Sequence, residues 1–332
     1  MLPFAIDRSC VVAAHPRENV RVRSLDLDET VEVAADGGTE ARVVAPAWGR
    51  YVAAVVSELA ALGRPANGMD AVLASDVPVG SGLSSSAALE VAIAVALAAA
   101  AEWVAPGPEI AAACRAAEER ATGVPGGIMD QLTSVCGRSG DALLIDCRTL
   151  EIVPVPLSEN IAVLAVHSGV SRTLAGSAYA ERRRACEALA RELGVPALRD
   201  AHEAQVSDNP LGRHVVSENR RVLESAEALA DDDGAQLGEL LLESHASLRD
   251  DFAVSTPELD VLVAELVDAG ALGARLTGAG FGGCVVAVCD PEPADAIAEA
   301  ATARYRERTG REPTAFRCRA VAGAGPIPPV DG

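Results

Sequence analysis

The sequence predicts an α+β protein of two units, residues 1–157 and 158–332. Three observations predict it. A chain of 332 residues is too long for one small domain and accommodates two. Its first third alternates apolar and polar residues in short strand-like runs, whereas the second half carries long charged helical stretches. Pro154 and Pro156 mark the change between them.

Residues 19–25 and 29–33 alternate as half-buried strands, with Asp36-Gly37-Gly38 as a turn between strands. Residues 48–62 form an amphipathic helix stopped by Gly63 and Pro65. A strand over 69–75 then enters a Gly/Ser loop and a long alanine helix. Its most apolar part, 87–101, contains Glu90 and reads as a buried helix, not a membrane span. A helix over 109–121 stops at Thr122-Gly123-Val124-Pro125-Gly126-Gly127, and another begins near Met129-Asp130. Strands follow at 142–146 and 161–166. Helices over 179–193, 214–229 and 237–248 come next, and 273–288 reads as strand, glycine loop, strand. The tail from Ala322, rich in Gly and Pro, is expected to be loosely held.

Composition excludes several functions. The 28 basic and 48 acidic residues leave a net charge of −20, which repels nucleic acid and anionic membranes. Every Lys or Arg position is Arg, so a Walker A lysine, a protein-kinase strand lysine and a Schiff-base lysine are all impossible. The eight cysteines include no C-x-x-C pair and lie mostly in apolar runs, as reduced core residues do. The N-terminus has neither the basic nor the apolar region of a signal peptide. A cytoplasmic monomer is the expectation.

The loop Gly80-Ser81-Gly82-Leu83-Ser84-Ser85-Ser86 joins a strand to a helix. Its glycines let backbone approach a ligand, and the helix start offers unpaired N–H groups and a positive dipole end. An anion site can therefore be built without lysine. A serine N-cap after a glycine turn is the plainer reading of such a loop, but three successive serines go beyond what a cap needs.

This loop resembles the second signature of the small-molecule kinases that include galactokinase, homoserine, mevalonate and phosphomevalonate kinases. Thr277-Gly278-Ala279-Gly280-Phe281-Gly282-Gly283-Cys284 resembles their third. Four further segments resemble galactokinases in particular. They are Gly127-Ile128-Met129-Asp130-Gln131, the stretch from Asp146 to Leu150, His167 to Arg172 leading into Ser177 to Cys186, and Glu243 to Asp251.

The resemblance implies a two-domain kinase fold, with a mixed-sheet N-terminal domain, a ferredoxin-like C-terminal domain and the active site in the cleft between them. It implies that Gly80 to Ser86 bind ATP and that Ser86 and Glu118 hold Mg²⁺. Asp130 would be the catalytic carboxylate, and Gly127 and Tyr179 would touch the sugar. Galactose, phosphorylated at its anomeric hydroxyl, is the implied substrate. The alternatives are a 1-kinase for an amino or higher-carbon sugar, and a non-catalytic sensor of ATP and sugar.

The chemistry agrees with these roles. Mg²⁺ takes oxygen ligands and keeps several waters, so one hydroxyl and one carboxylate suffice from the protein. A helix start favours ionised Asp130, which can orient a hydroxyl or take its proton. Trp48 and Tyr51 match a Trp-x-x-Tyr pattern of the family and are read first as core. His245 is read as a structural hydrogen-bonder. Galactokinases also carry an earlier signature of the form Arg-Val-Asn-Leu-Ile-Gly-Glu-His-Thr-Asp-Tyr, and this sequence starts after it. A start codon assigned too far downstream is the expectation; a short product of impaired activity is the alternative.

Overall fold

The computed structural model describes residues 1–170 and 175–327. In chain order it contains β1 (Cys10–Arg17), β2 (Val20–Ser24), β3 (Glu29–Val33), α1 (Gly49–Ala61), β4 (Gly68–Ser75), α2 (Ser85–Ala100), α3 (Gly107–Thr122), α4 (Met129–Cys136), β5 (Asp141–Ile145) and β6 (Ile152–Pro156). The second half contains β7 (Ala162–His167), α5 (Ala175–Glu192), α6 (Glu203–Val206), α7 (Pro210–Ala230), α8 (Gly234–Asp250), α9 (Pro257–Asp268), β8 (Gly273–Leu276), β9 (Cys284–Cys289), α10 (Ala294–Thr309) and β10 (Thr314–Cys318).

The first sheet has the order β1-β4-β2-β3. It is mixed: β2 runs parallel to β4, while the β1–β4 and β2–β3 pairs are antiparallel. One face is packed by α1, α2 and α3, whose small and β-branched side chains close a core with Val20, Val22, Val31 and Leu73. Ala-rich α2 suits this place, since alanine favours helix and lets neighbours approach closely.

The second sheet has the order β10-β7-β9-β8 and is antiparallel throughout. Its chain path, strand, helices, hairpin, helix, strand, is that of a ferredoxin-like unit, as expected. α9, α10 and the end of α8 cover one face through Leu259, Leu262, Leu266, Ile297 and the wholly buried Tyr305.

The β5–β6 ribbon links the two cores. Leu143 and Ile145 pack with Leu132 of α4 and Ala111 of α3, while Ala142 and Val155 pack with Val163 of β7 and with α7 and α8. The N-terminal residues fasten here, and Gly140 N–H, just ahead of β5, donates to Ala320 O. The N–H groups of Leu143 and Ile145 donate to the carbonyls of Pro3 and Met1.

Two expectations are corrected. Asp36-Gly37-Gly38 does not join two strands: β2 and β3 are joined across residues 25–28, and Gly37 instead sits under α1, where a Cβ would lie 2.9 Å from Ser57 Cα. The tail is not loose at its start, because Gly323 N–H donates to Gly137 O and Ala324 N–H to Ser134 O. Five main elements escaped the pattern reading: exposed edge strand β1, proline-bearing β6, α9, α10 and β10. Strand β6 tolerates Pro154 and Pro156 because it pairs on one side only, with β5. Of the expected segment from His167 to Arg172, Ser171 and Arg172 lie outside the described residues.

Candidate active site

β4 delivers the chain to the Gly/Ser loop. Gly80 and Gly82 have φ of +73° and +84°, and at Gly80 an added Cβ would meet nothing within 4 Å. The backbone conformation, not crowding, demands glycine there. Ser81 is buried; its hydroxyl donates to Pro78 O at 2.8 Å and accepts from Leu83 N–H at 3.2 Å. That hydroxyl braces the loop. Ser84, at the N-cap of α2, takes a left-handed conformation (φ 62°, ψ 43°) with no side-chain capping bond. The plain N-cap reading therefore does not describe this serine. A non-glycine residue held in that region at a helix mouth is a strain of the kind found at ligand sites.

In the first turn of α2, Ser86 Oγ donates to Glu118 Oε1 of α3 at 2.7 Å. The two residues, far apart in sequence, are in direct contact. Hydroxyl and carboxylate oxygens are hard donors, and cis ligands of an octahedral site at ~2.1 Å lie ~3 Å apart. Their separation fits a small divalent cation that takes its other ligands from phosphate and water. Among the described residues no group of three or more His, Cys, Asp and Glu is arranged to hold a metal. Any cation here would depend on non-protein ligands as well.

Behind this pair lies a wholly buried carboxyl and amide. Gln131 Nε2 donates to Glu90 Oε2 at 3.0 Å and to Glu118 Oε2 at 3.1 Å. Burial, then the neighbouring carboxylates of Glu118 and Asp130, push the Glu90 carboxyl up to about 9. Neither Glu90 nor Gln131 was singled out from sequence as a site residue. The available signal was the Ser86–Glu90 spacing of four, which places both on one face of α2.

Asp130 lies in the first turn of α4, and Ile128, the N-cap, makes no side-chain cap. The helix dipole there favours negative charge. Across from it, Tyr179 of α5 is half-buried, its phenol pushed up first by burial and further by Asp130, with Arg183 acting against them. A Cβ on Gly127 would stand 3.8 Å from the Tyr179 hydroxyl. Asp130, Gly127 and Tyr179 are thus gathered at one place, beside the Ser86–Glu118 pair.

The second glycine loop closes on the first. Cys284 Sγ donates to Ser81 O at 3.0 Å, joining β9 to the loop over 203 residues of sequence. Phe281 N–H donates to Val254 O and Gly283 N–H to Val170 O. A Cβ on Gly280 would lie 2.3 Å from Val254 O. Trp48 and Tyr51 pack against the first core, and Trp48 Nε1 donates to Glu29. His245 accepts from Leu276 N–H at Nδ1 and faces Asp260 through Nε2, a neutral ring pinned inside the second half.

Residues 50–138 match the family described as GHMP kinases N terminal domain, and residues 225–307 match GHMP kinases C terminal. The chain is 44% identical to a galactokinase of Roseiflexus sp. (strain RS-1), over 98% of this chain and 87% of that one. It is 41% identical to a galactokinase of Chloroflexus aggregans (strain MD-66 / DSM 9485), over 97% and 87%. The chain belongs to the galactokinase family. Among solved structures, a Lactococcus lactis galactokinase complexed with galactose superposes with a TM-score of 0.87 at 29% identity, covering 96% of this chain and 87% of that one. A mevalonate kinase at 18% identity, covering 95% and 90%, shares the fold with a TM-score of 0.69.

Proposed function

We propose that this chain transfers the γ-phosphoryl group of ATP to the anomeric hydroxyl of galactose, giving galactose 1-phosphate and ADP. The observation that carries the reading is the convergence of three helix starts or faces. The serine loop at α2, the Ser86–Glu118 pair between α2 and α3, and Asp130 at α4 lie around one place, opposite Tyr179. The family membership and the galactose-bound relative of the same fold support the choice of sugar.

In this reading the backbone N–H groups of Gly80 to Ser86 and the hydroxyls of Ser84 and Ser85 hold the triphosphate at the mouth of α2, where the dipole favours anions. Ser81 contributes backbone only. Ser86 and Glu118 hold Mg²⁺, whose charge, when it is bound, offsets that building up on the transferred group. Gly127 leaves room for the sugar against the Tyr179 hydroxyl. Asp130 accepts the hydrogen bond of the anomeric O–H and orients its oxygen in line with the γ-phosphorus. The sugar O–P bond forms as the P–O bond to the β-phosphate breaks. The hydroxyl proton passes to the Asp130 carboxylate, and ADP carries away the electron pair of the broken bond. The protein acts as a monomer in the cytoplasm.

The test is ADP release from this chain with galactose, Mg²⁺ and ATP, beside Asp130→Asn. The variant is expected to bind nucleotide by calorimetry as the parent does and to lose at least ~10²-fold in turnover. Unchanged turnover would refute the role of Asp130. Absence of galactose-dependent ADP release from the parent would refute the activity.

A further inference from the structure

The buried carboxyl and amide behind the Ser86–Glu118 pair have no part in the reaction as described. Glu90 and Gln131 are both 0% exposed, inside a packed region where unpaired polar atoms are rare. The amide orientation is fixed by its neighbours. Its two N–H bonds point at Glu90 Oε2 and Glu118 Oε2, whereas the reversed amide would set its oxygen against two carboxyl groups. Two buried atoms then remain without a partner, Glu90 Oε1 and Gln131 Oε1. Both are acceptors if Glu90 is ionised. A single proton on Glu90 Oε1, shared with Gln131 Oε1, would satisfy both and complete an acid–amide pair with the N–H bond already present.

We propose that Gln131 is a positioning residue: its amide, clamped by a neutral Glu90 carboxylic acid, holds Glu118 in the conformation that meets Ser86. The proposal rests on the kinase reading of the site. Gln131 is fully buried, so its part runs through Glu118. It follows Asp130 directly on α4, so the same clamp ties α4 to α2 through Glu90 and to α3 through Glu118. The upward displacement of the Glu90 carboxyl by burial agrees with a proton there at neutral pH. With Glu90 uncharged, Glu118 is held at Oε2 by the Gln131 amide and at Oε1 by the Ser86 hydroxyl.

The experiment uses Mn²⁺ as probe, its uptake in the presence of ADP followed by loss of the free-ion electron paramagnetic resonance signal. Gln131→Leu is expected to weaken Mn²⁺ uptake about ten-fold or more, the range for groups that orient metal ligands, while metal-free ADP binding stays at the parent value. Glu90→Leu should weaken Mn²⁺ uptake likewise. Glu90→Gln, which supplies an N–H where the acid has its O–H, should retain the parent affinity. Should Gln131→Leu not fold, Gln131→Met, closer in length and equally unable to donate, takes its place. Parent-like Mn²⁺ affinity in the Gln131 variant overturns the proposal, and so does a Glu90→Gln variant as weak as Glu90→Leu. A parent chain that shows this pattern yet transfers no phosphate to galactose refutes the proposed activity and leaves the positioning role intact.

Discussion

Glycine occurs in both signature loops for different physical reasons, and substitution separates them. At Gly80 only the positive φ matters, so Gly80→Ala is expected to cost about 1–2 kcal/mol, the left-handed penalty of an L-residue. Gly280 combines a φ of +78° with backbone 2.3 Å from where a Cβ would stand. Gly280→Ala is therefore expected to cost about 2–5 kcal/mol, as the same penalty plus overpacking. Thermal unfolding of the two variants checks this; equal losses would show that crowding at Val254 is relieved elsewhere. The serines divide similarly. Ser81 supports the loop from within, Ser84 sits strained at the helix mouth, and Ser86 meets Glu118. Identical residue types in one motif thus do three different things, which sequence spacing does not distinguish.

At the scale of elements, the α7–α8–β8 packing is held by a half-buried ion network. Glu218 receives Arg221, Arg275 and the Ser244 hydroxyl. Burial raises its carboxyl, but Arg275, Ser244 and Arg221 outweigh that and bring it down to about 2 from 4.5. A depressed carboxyl stabilises fully above its unfolded value and loses that contribution as pH falls toward its folded one. Glu218→Gln should cost about 3–5 kcal/mol at neutral pH by stranding two guanidinium groups. In urea titrations the gap to the parent should narrow as pH drops from 4.5 toward 2. A gap independent of pH would mean that shape, not charge, is what the variant loses. Burial also lowers His214 to about 4 from 6.5. The unfolded chain takes up that proton first, so parent stability already declines as pH falls from 6.5.

For the whole molecule, we propose that the two domains meet at residues 157 and 158. The β5–β6 ribbon belongs to the first by sequence, yet Ala142 and Val155 share a hydrophobic cluster with Val163, Ala226 and Leu240 of the second. Reciprocal bidentate pairs, Arg148 with Asp200 and Arg199 with Asp146, add to the same seam. Being surface-exposed, they contribute little next to the apolar contact. Chains covering 1–157 and 158–332 are therefore expected to be insoluble or unfolded apart and to co-purify when produced together. Independent, well-folded halves would show that the ribbon does not bind them. The fold class was legible because each core asks for a distinct pattern. Runs such as Val20 to Val33 and Ile161 to Val166 alternate or stay apolar as their sheets require. Of the elements that were missed, β1 and β10 are edge strands with remote partners and little alternation, α9 and α10 bury stripes defined only by the sheet they cover, and β6 is masked by its prolines.

By itself, the sequence determined an acidic, lysine-free chain, so the anion site proposed at the Gly/Ser loop relies on groups other than lysine, such as backbone N–H groups, hydroxyls and a helix end. It also marked both glycine loops and the aspartate at a helix start, because local chemistry demands those residue types at those spacings. Only the tertiary structure decided which carboxylates face one another. The family resemblance singled out Glu118, but its contact with Ser86 exists only once α2 is laid beside α3, and Gln131 gains its two carboxyl partners only once α4 is packed against both. Contacts of that kind arise from burial between helices distant in sequence. Hydrogen-bond partners there are chosen by exclusion of water, which no local pattern records.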